Sequence, residues 1–244
     1  MPQHGAVSML AGAWRALAAE VVGTALLVAL GCSSLLAAPP VPLTHPALAF
    51  GGAVTLLATV LAPISGAHLN PAVSLAAVLS GNLPPVKAVL YVLAQCVGAF
   101  LGTVMLHGAA GGAAAAACTA PAVGAAAAAA VEATLTGSLC LLLCGLWAAH
   151  DDGKPDHSGP LKVGLAIAGL VYSGGALTGA SLNPARSLGP ALLYSCWGSH
   201  WVYWVGPLLG AALAAGLHRA VSPPAPRTAA PAPESLPLND KLEP

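Results

Sequence analysis

The chain has 244 residues, 57 % of them hydrophobic and only 7 % charged, with eight Lys or Arg balancing eight Asp or Glu. Soluble domains carry roughly 25 % charged residues, so a chain this apolar, at a mean hydropathy of +0.80, lacks the groups that coat a water-facing surface. Zero formal net charge and no basic cluster argue against nucleic acid as a partner.

At roughly 20 residues per crossing, the length accommodates about six membrane spans with short loops. The first apolar run, 14–37, is too long for the h-region of a signal peptide and lacks a clear cleavage site. It is expected to remain as a signal anchor and first span, behind a cytoplasmic N-terminus of residues 1–13. Apolar run length and Gly/Pro punctuation place the other spans near 44–62, 86–107, 125–148, 160–179 and 200–220. The fourth carries the weakest signal, because its first residues, Ala125 to Ala130, are barely hydrophobic enough to insert. From 221 to 244 the chain is rich in Pro and is expected to form a disordered cytoplasmic tail.

Two shorter apolar pieces lie between the second and third spans and between the fifth and sixth. They cover 70–80 and 183–193, and each opens on Asn-Pro. A helix of about ten residues is roughly 15 Å long, half the hydrocarbon thickness. Pro suits a first helical turn, where its missing N–H leaves no bond unmade. Both pieces therefore read as half-helices. The tripeptides Asn70-Pro71-Ala72 and Asn183-Pro184-Ala185 stand 113 residues apart. An unpaired polar group in hydrocarbon costs several kcal/mol, so such a breaker is tolerated only inside protein or beside a wet cavity.

The duplication extends further. Glu20 and Thr24 match Glu132 and Thr136 at an offset of 112, and Tyr91 with Gly98-Ala99 matches Tyr203 with Gly210-Ala211 at the same offset. Each unit, 14–107 or 125–220, holds three spans. An odd number inverts the second copy, so the half-helices enter from opposite faces and meet near the midplane. The expected fold is an all-α membrane protein of six transmembrane helices plus two re-entrant half-helices, forming one channel domain over 14–220.

Arg15, Lys87, Lys154, Lys162, Arg219, Arg227 and Lys241 all fall on one side of this arrangement. The positive-inside rule makes that side, with both termini, cytoplasmic. Arg186 is the exception, three residues past Asn183 and within the membrane, where ionisable groups are costly and functional.

The motifs His68-Leu-Asn-Pro-Ala-Val and Ser181-Leu-Asn-Pro-Ala-Arg-Ser187, in a six-span inverted repeat, resemble the aquaporin family over about residues 14–220. Asn70 to Leu79 and His200 to Leu209 are similar to the aquaporin-eight type, the aquaammoniaporins. The resemblance implies a passive channel for water and small neutral solutes. Asn70 and Asn183 would cap the half-helices and turn amide N–H groups to the pore. Glu20 and Glu132 would hold the re-entrant loops, with proton relay as the sharper alternative. His68 either lines the inner pore or makes a structural bond to a loop carbonyl.

The family's outer constriction maps, by distance from the motifs, onto Phe50, Val171, Ala180 and Arg186. Strictly water-selective relatives carry His where this chain has Val171. The aquaporin-eight type has a branched aliphatic there, but carries His in place of Phe50. This mixed filter is expected to pass water, and to pass ammonia and hydrogen peroxide more readily than a His-bearing one. Polyol-conducting relatives usually follow the Arg with Asp, and this chain has Ser187.

Other readings are a glycerol or urea facilitator, or a non-conducting structural membrane protein of the same fold. No Ser/His pair, Asp pair or metal-ligating set falls within the spans, so no enzyme, cofactor or metal is expected. The family implies a homotetramer in the lipid bilayer, with the plasma membrane as default and an inner organelle as alternative. The six cysteines, mostly within apolar runs, read as small buried hydrophobes. Cys118 and Cys196 face the expected exterior, but nothing in the sequence pairs them, and mercurial block would have to act through Cys196 or another thiol.

Overall fold

The computed structural model of the chain describes residues 3–36, 42–151, 153, 154 and 156–222. Eight α-helices follow in order: α1 (Gln3–Ser33), α2 (Thr44–Ser65), α3 (Pro71–Leu79), α4 (Pro85–Ala110), α5 (Ala125–Asp151), α6 (Gly159–Thr178), α7 (Pro184–Tyr194) and α8 (Val202–Val221). A 3₁₀ turn at Gly111–Ala117 follows α4, and no strand occurs among the described residues. The expected disordered tail falls, from residue 223 onward, outside the described residues.

Five helices are long and apolar enough to cross a membrane, including α5, whose Ala-rich start carried the weakest signal. The sixth long helix, α8, has 20 residues. It turns Val205, Leu209, Leu213 and Leu217 outward, each at least half exposed. Spaced every four residues, they form one apolar stripe along the helix, which suits hydrocarbon rather than water. With α3 and α7 as the two short elements, the protein is a six-span, multi-pass membrane protein with two re-entrant half-helices.

Two boundaries differ from the sequence reading. The first helix begins at Gln3 and ends at Ser33, so most of the expected N-terminal extension is continuous with the first span. Beyond Pro2 no proline interrupts it. Pro63, just past the expected 44–62 boundary, lies inside α2, which ends at Gly66 with φ +90°. A proline near a helix end removes one bond. The left-handed glycine is what turns the chain away.

Glycines at the helix crossings set the packing. A Cβ at Gly98 or Gly102 of α4 would overlap the carbonyls of Val21 or Ala25 in α1. The same holds in the second unit for Gly206 and Gly210 of α8 against Ala129 and Ala133 in α5. Gly51 of α2 and Gly164 of α6 meet each other across the centre, again backbone to backbone. Small residues replace a hydrophobic driving force between helices in lipid, because close backbones maximise dispersion contact.

The half-helices meet end to end with opposite polarity. At the far end of α3, Leu79 O accepts from Arg219 Nη1 at the C-terminus of α8. At the far end of α7, Tyr194 OH contacts His107 and donates to Gly111 O at the C-terminus of α4. Each half-helix packs chiefly on the other repeat or its partner span: Gly189 of α7, for example, seats on Ala99 O of α4. Their N-termini face one another, as the inverted duplication requires.

Candidate conduction pathway

The loops 66–70 and 179–183 carry the two motifs and are built alike. Gly66 and Gly179 are left-handed, and so are Ala67 and Leu69 in one loop and Ala180 and Leu182 in the other, with φ between 44° and 54°. Left-handed backbone costs a non-glycine residue about 1–2 kcal/mol, so this geometry persists only where its surroundings over-determine it. The buried carboxylates supply that constraint. Glu20 accepts from the backbone N–H of His68 and Leu69 at 3.0 and 2.7 Å, and from Ser65 Oγ at 2.6 Å. Glu132 accepts from Ser181 and Leu182 N–H at 2.9 Å each, and from Thr178 Oγ1 at 2.7 Å.

One buried phenol completes each brace. Tyr91 OH donates to Ser65 O and Tyr203 OH to Thr178 O, both at 2.8 Å. The tyrosine match at offset 112 was visible in the sequence, but its role as a loop anchor was not. One asymmetry remains. Gln95 Nε2 donates to Glu20 at 2.8 Å and to Ser74 Oγ at 3.0 Å, whereas α8 has Pro207 at the matching place.

These braces deliver the asparagines. Asn70 Oδ1 accepts from Ala72 N–H at 2.8 Å, and Asn183 Oδ1 from Ala185 and Arg186 N–H at 3.0 and 3.2 Å, so both side chains cap their half-helices. Each amide then donates across to the opposite loop. Asn70 Nδ2 reaches Leu182 O at 2.8 Å, and Asn183 Nδ2 reaches Leu69 O at 2.7 Å. One N–H of each amide is consumed, and the second is left toward the cavity that both residues line.

That cavity, of about 200 Å³, also brings together Phe50, His68, Val171, Ala180 and Arg186. The Arg186 guanidinium sits 5.3 Å from the Phe50 ring centroid, and its Nη1 donates to Ala117 O at 2.6 Å. Nε has no partner, and among the described residues no carboxylate pairs with this buried cation. A methyl at Gly31 would overlap the Phe50 ring, so that glycine is what admits the phenyl group. His68 packs edge-on to Tyr91, with ring centroids 5.3 Å apart, and its Nδ1 meets Ser74 Oγ at 3.2 Å, rather than a loop carbonyl. Glu20 and Glu132 stand outside the cavity lining, behind the loops.

The sequence profile of the major intrinsic proteins matches residues 8–218. The chain belongs to the major intrinsic protein family. Among similar proteins of this family, the "Probable aquaporin TIP4-2" of Oryza sativa subsp. japonica is 41 % identical over 162 residues, 66 % of this chain and 63 % of that protein. The "Lens fiber major intrinsic protein" of Gallus gallus is 39 % identical over 211 residues, 84 % of this chain and 80 % of that one. A solved structure, the aquaglyceroporin from Plasmodium falciparum, superposes with a TM-score of 0.76 at 28 % identity, covering 86 % of this chain and 96 % of that one. These relatives place the chain among the aquaporins at large and do not single out the aquaporin-eight type.

The cysteines require a correction. Cys118 and Cys196 form a disulfide, with Cα atoms 6.3 Å apart, so neither is a buried hydrophobe and Cys196 offers no free thiol to a mercurial. Of the free cysteines, Cys32, Cys140 and Cys144 are buried and Cys96 is partly buried, as read from the sequence. A pair separated by 78 residues, with no local spacing motif, leaves no trace that sequence reasoning can use.

Proposed function

We propose that this chain is a passive channel for water and small neutral solutes, ammonia and hydrogen peroxide among them, that excludes ions and protons. The carrying observation is one cavity lined by both asparagine amides and by a buried, unpaired arginine. Two helix N-termini, each equivalent to about +0.5 charge, face the same point. A water there accepts from Asn70 and Asn183, so its own hydrogens point away along the pore in both directions. That orientation interrupts a proton wire, and the positive potential of the helix ends and Arg186 repels cations. Glu20 and Glu132 are supports in this scheme: their bonds go to the loops, which leaves no carboxylate in the lumen for proton relay.

Selectivity is assigned to Phe50, Val171, Ala180 and Arg186. An isopropyl group at Val171 in place of imidazole removes a polar partner and widens the opening toward ammonia and peroxide. Glycerol conduction is the second reading, favoured by the likeness to the aquaglyceroporin structure. Against it, Ser187, bonded to Thr119 and Ser181, stands where polyol-conducting relatives usually carry Asp. The disulfide supports an oxidising compartment on the Cys118 side, and Arg15, Lys87, Lys154, Lys162 and Arg219 support a cytoplasmic assignment for the other side, with both termini. From the family, a homotetramer with one pore per subunit is expected. The plasma membrane is the default location. The TIP-named relatives favour an inner-organelle membrane as the second.

Permeabilities for water, ammonia, peroxide and glycerol, measured side by side in vesicles of wild type and Val171→His, test this reading. Peroxide flux is expected to fall in the variant while water flux persists. Unchanged peroxide flux contradicts the filter assignment.

A further inference from the structure

Three consecutive residues, beginning with the last of the 3₁₀ turn, each attach to α7 or to the chain leaving it. Ala117 O accepts from Arg186 Nη1, Cys118 is bonded to Cys196, and Thr119 Oγ1 donates to Ser187 Oγ at 2.9 Å. The last contact continues inward: Ser187 and Ser181 hydroxyls lie 2.6 Å apart, and Ser181 Oγ donates to Asn183 O at 2.9 Å. The segment therefore reaches both the arginine and the second asparagine motif.

The segment is packed, with Ala114 and Ala117 buried against α1, α4 and α7, but it has few polar bonds of its own. Residues 113–117 are five alanines, with no side chain able to form a polar bond. Yet Ala117 O is the sole hydrogen-bond partner of the Arg186 side chain among the described residues. A small shift of that carbonyl would let the guanidinium swing, because no other hydrogen bond holds its planar fork over the Phe50 face. The covalent bond one residue away limits that shift, adding a tether to the apolar packing of Ala117.

We propose that the Cys118–Cys196 disulfide, seconded by Thr119, is a specificity-determining clamp. It fixes the Ala117 carbonyl, holds Arg186 against Phe50, and so keeps polyols and urea out of the outer constriction. The cysteines touch no solute and are positioning residues. This inference rests on the assignment of Arg186 and Phe50 to the selectivity filter.

The test uses the full chain reconstituted in vesicles, with glycerol-to-water and urea-to-water permeability ratios read by stopped-flow light scattering. Dithiothreitol delivers two electrons and two protons to the S–S bond, leaving two cysteine thiols and closing into its own cyclic disulfide. Reduction of folded wild type is expected to raise both ratios about threefold or more, the scale of one loosened hydrogen bond. A Cys118→Ser/Cys196→Ser double variant should show the raised ratios without reductant and no response to it. Arg186→Ala separates the two claims. If it raises the ratios and reduction of wild type does not, the clamp is overturned and the filter stands. If it leaves the ratios unchanged, the filter assignment falls and the clamp with it. A proportional loss of all permeabilities on reduction also overturns the clamp, because it reports only fewer folded channels.

Discussion

Asn70 and Asn183 brace each other's loops: the amide of each donates to the carbonyl that precedes the other, Leu182 O at 2.8 Å and Leu69 O at 2.7 Å. The two half-helices are thereby held tip to tip by reciprocal bonds, in addition to their own caps. Replacing Asn183 with Ala removes a cap from two N–H groups and one cross-brace together. A lost cap costs about 1 kcal/mol, and the orphaned Leu69 carbonyl adds about 1–3 kcal/mol. Thermal unfolding in detergent should show the loss, and water permeability per reconstituted channel should drop. A variant as stable and as permeable as wild type contradicts the bracing.

The carboxylates behind the loops differ in redundancy. Glu132 has three donors and Glu20 has four, the extra one from Gln95. Since the second unit manages with Pro207 in that place, Gln95→Leu should destabilise less than Glu132→Gln. The glutamine presents an N–H where an acceptor is needed, facing a backbone donor with about 1–3 kcal/mol at stake. Unfolding temperatures of the two variants provide the comparison. The reverse order sinks the idea that backbone donors from the loop are the principal cargo of these acids.

Packing predicts a contrast within one helix. Gly210 lies against the carbonyl of Ala133, while Gly216 has open space around it. Gly210→Val should therefore cost about 1–3 kcal/mol by overpacking, since backbone cannot yield as a flexible side chain does. Gly216→Val should be close to neutral. Equal behaviour of the two in a thermal-shift assay argues against the α5–α8 contact.

At the expected outer face, burial lowers the His200 imidazole below its ordinary 6.5. Its Nε2 accepts from Trp204 Nε1 at 3.2 Å, a bond only the unprotonated nitrogen can make. A base whose folded pKa is depressed binds fewer protons folded than unfolded, so its contribution is present above pH 6.5 and fades as the pH falls through the lowered value. Tryptophan emission should change on acidification below 6.5, and His200→Gln should remove that inflection. An inflection that survives the substitution assigns the titration elsewhere.

The half-helices were legible because Asn-Pro in an apolar run has few physical outlets and because the pattern recurs in register. The acids Glu20 and Glu132 were legible for the same reason, as costly groups at matched offsets. What escaped the sequence depends on long-range closure. Ala67 and Leu69 give no hint of left-handed backbone, because bonds from distant residues, Glu20, Tyr91 and Asn183, hold their loop. Gly31 reads as a packing glycine until the Phe50 ring is seen beside it. The disulfide escaped because residues 118 and 196 meet only once α7 has folded back toward the end of α4.

Stopped-flow shrinkage of vesicles holding the purified protein, with a trapped pH dye, tests the central claim most directly. The account predicts water efflux well above that of protein-free vesicles, with the shallow temperature dependence of flow through a wet pore, and no proton leak under a pH gradient. Folded, reconstituted protein that shrinks its vesicles no faster than bare lipid, or that collapses the pH gradient, contradicts it.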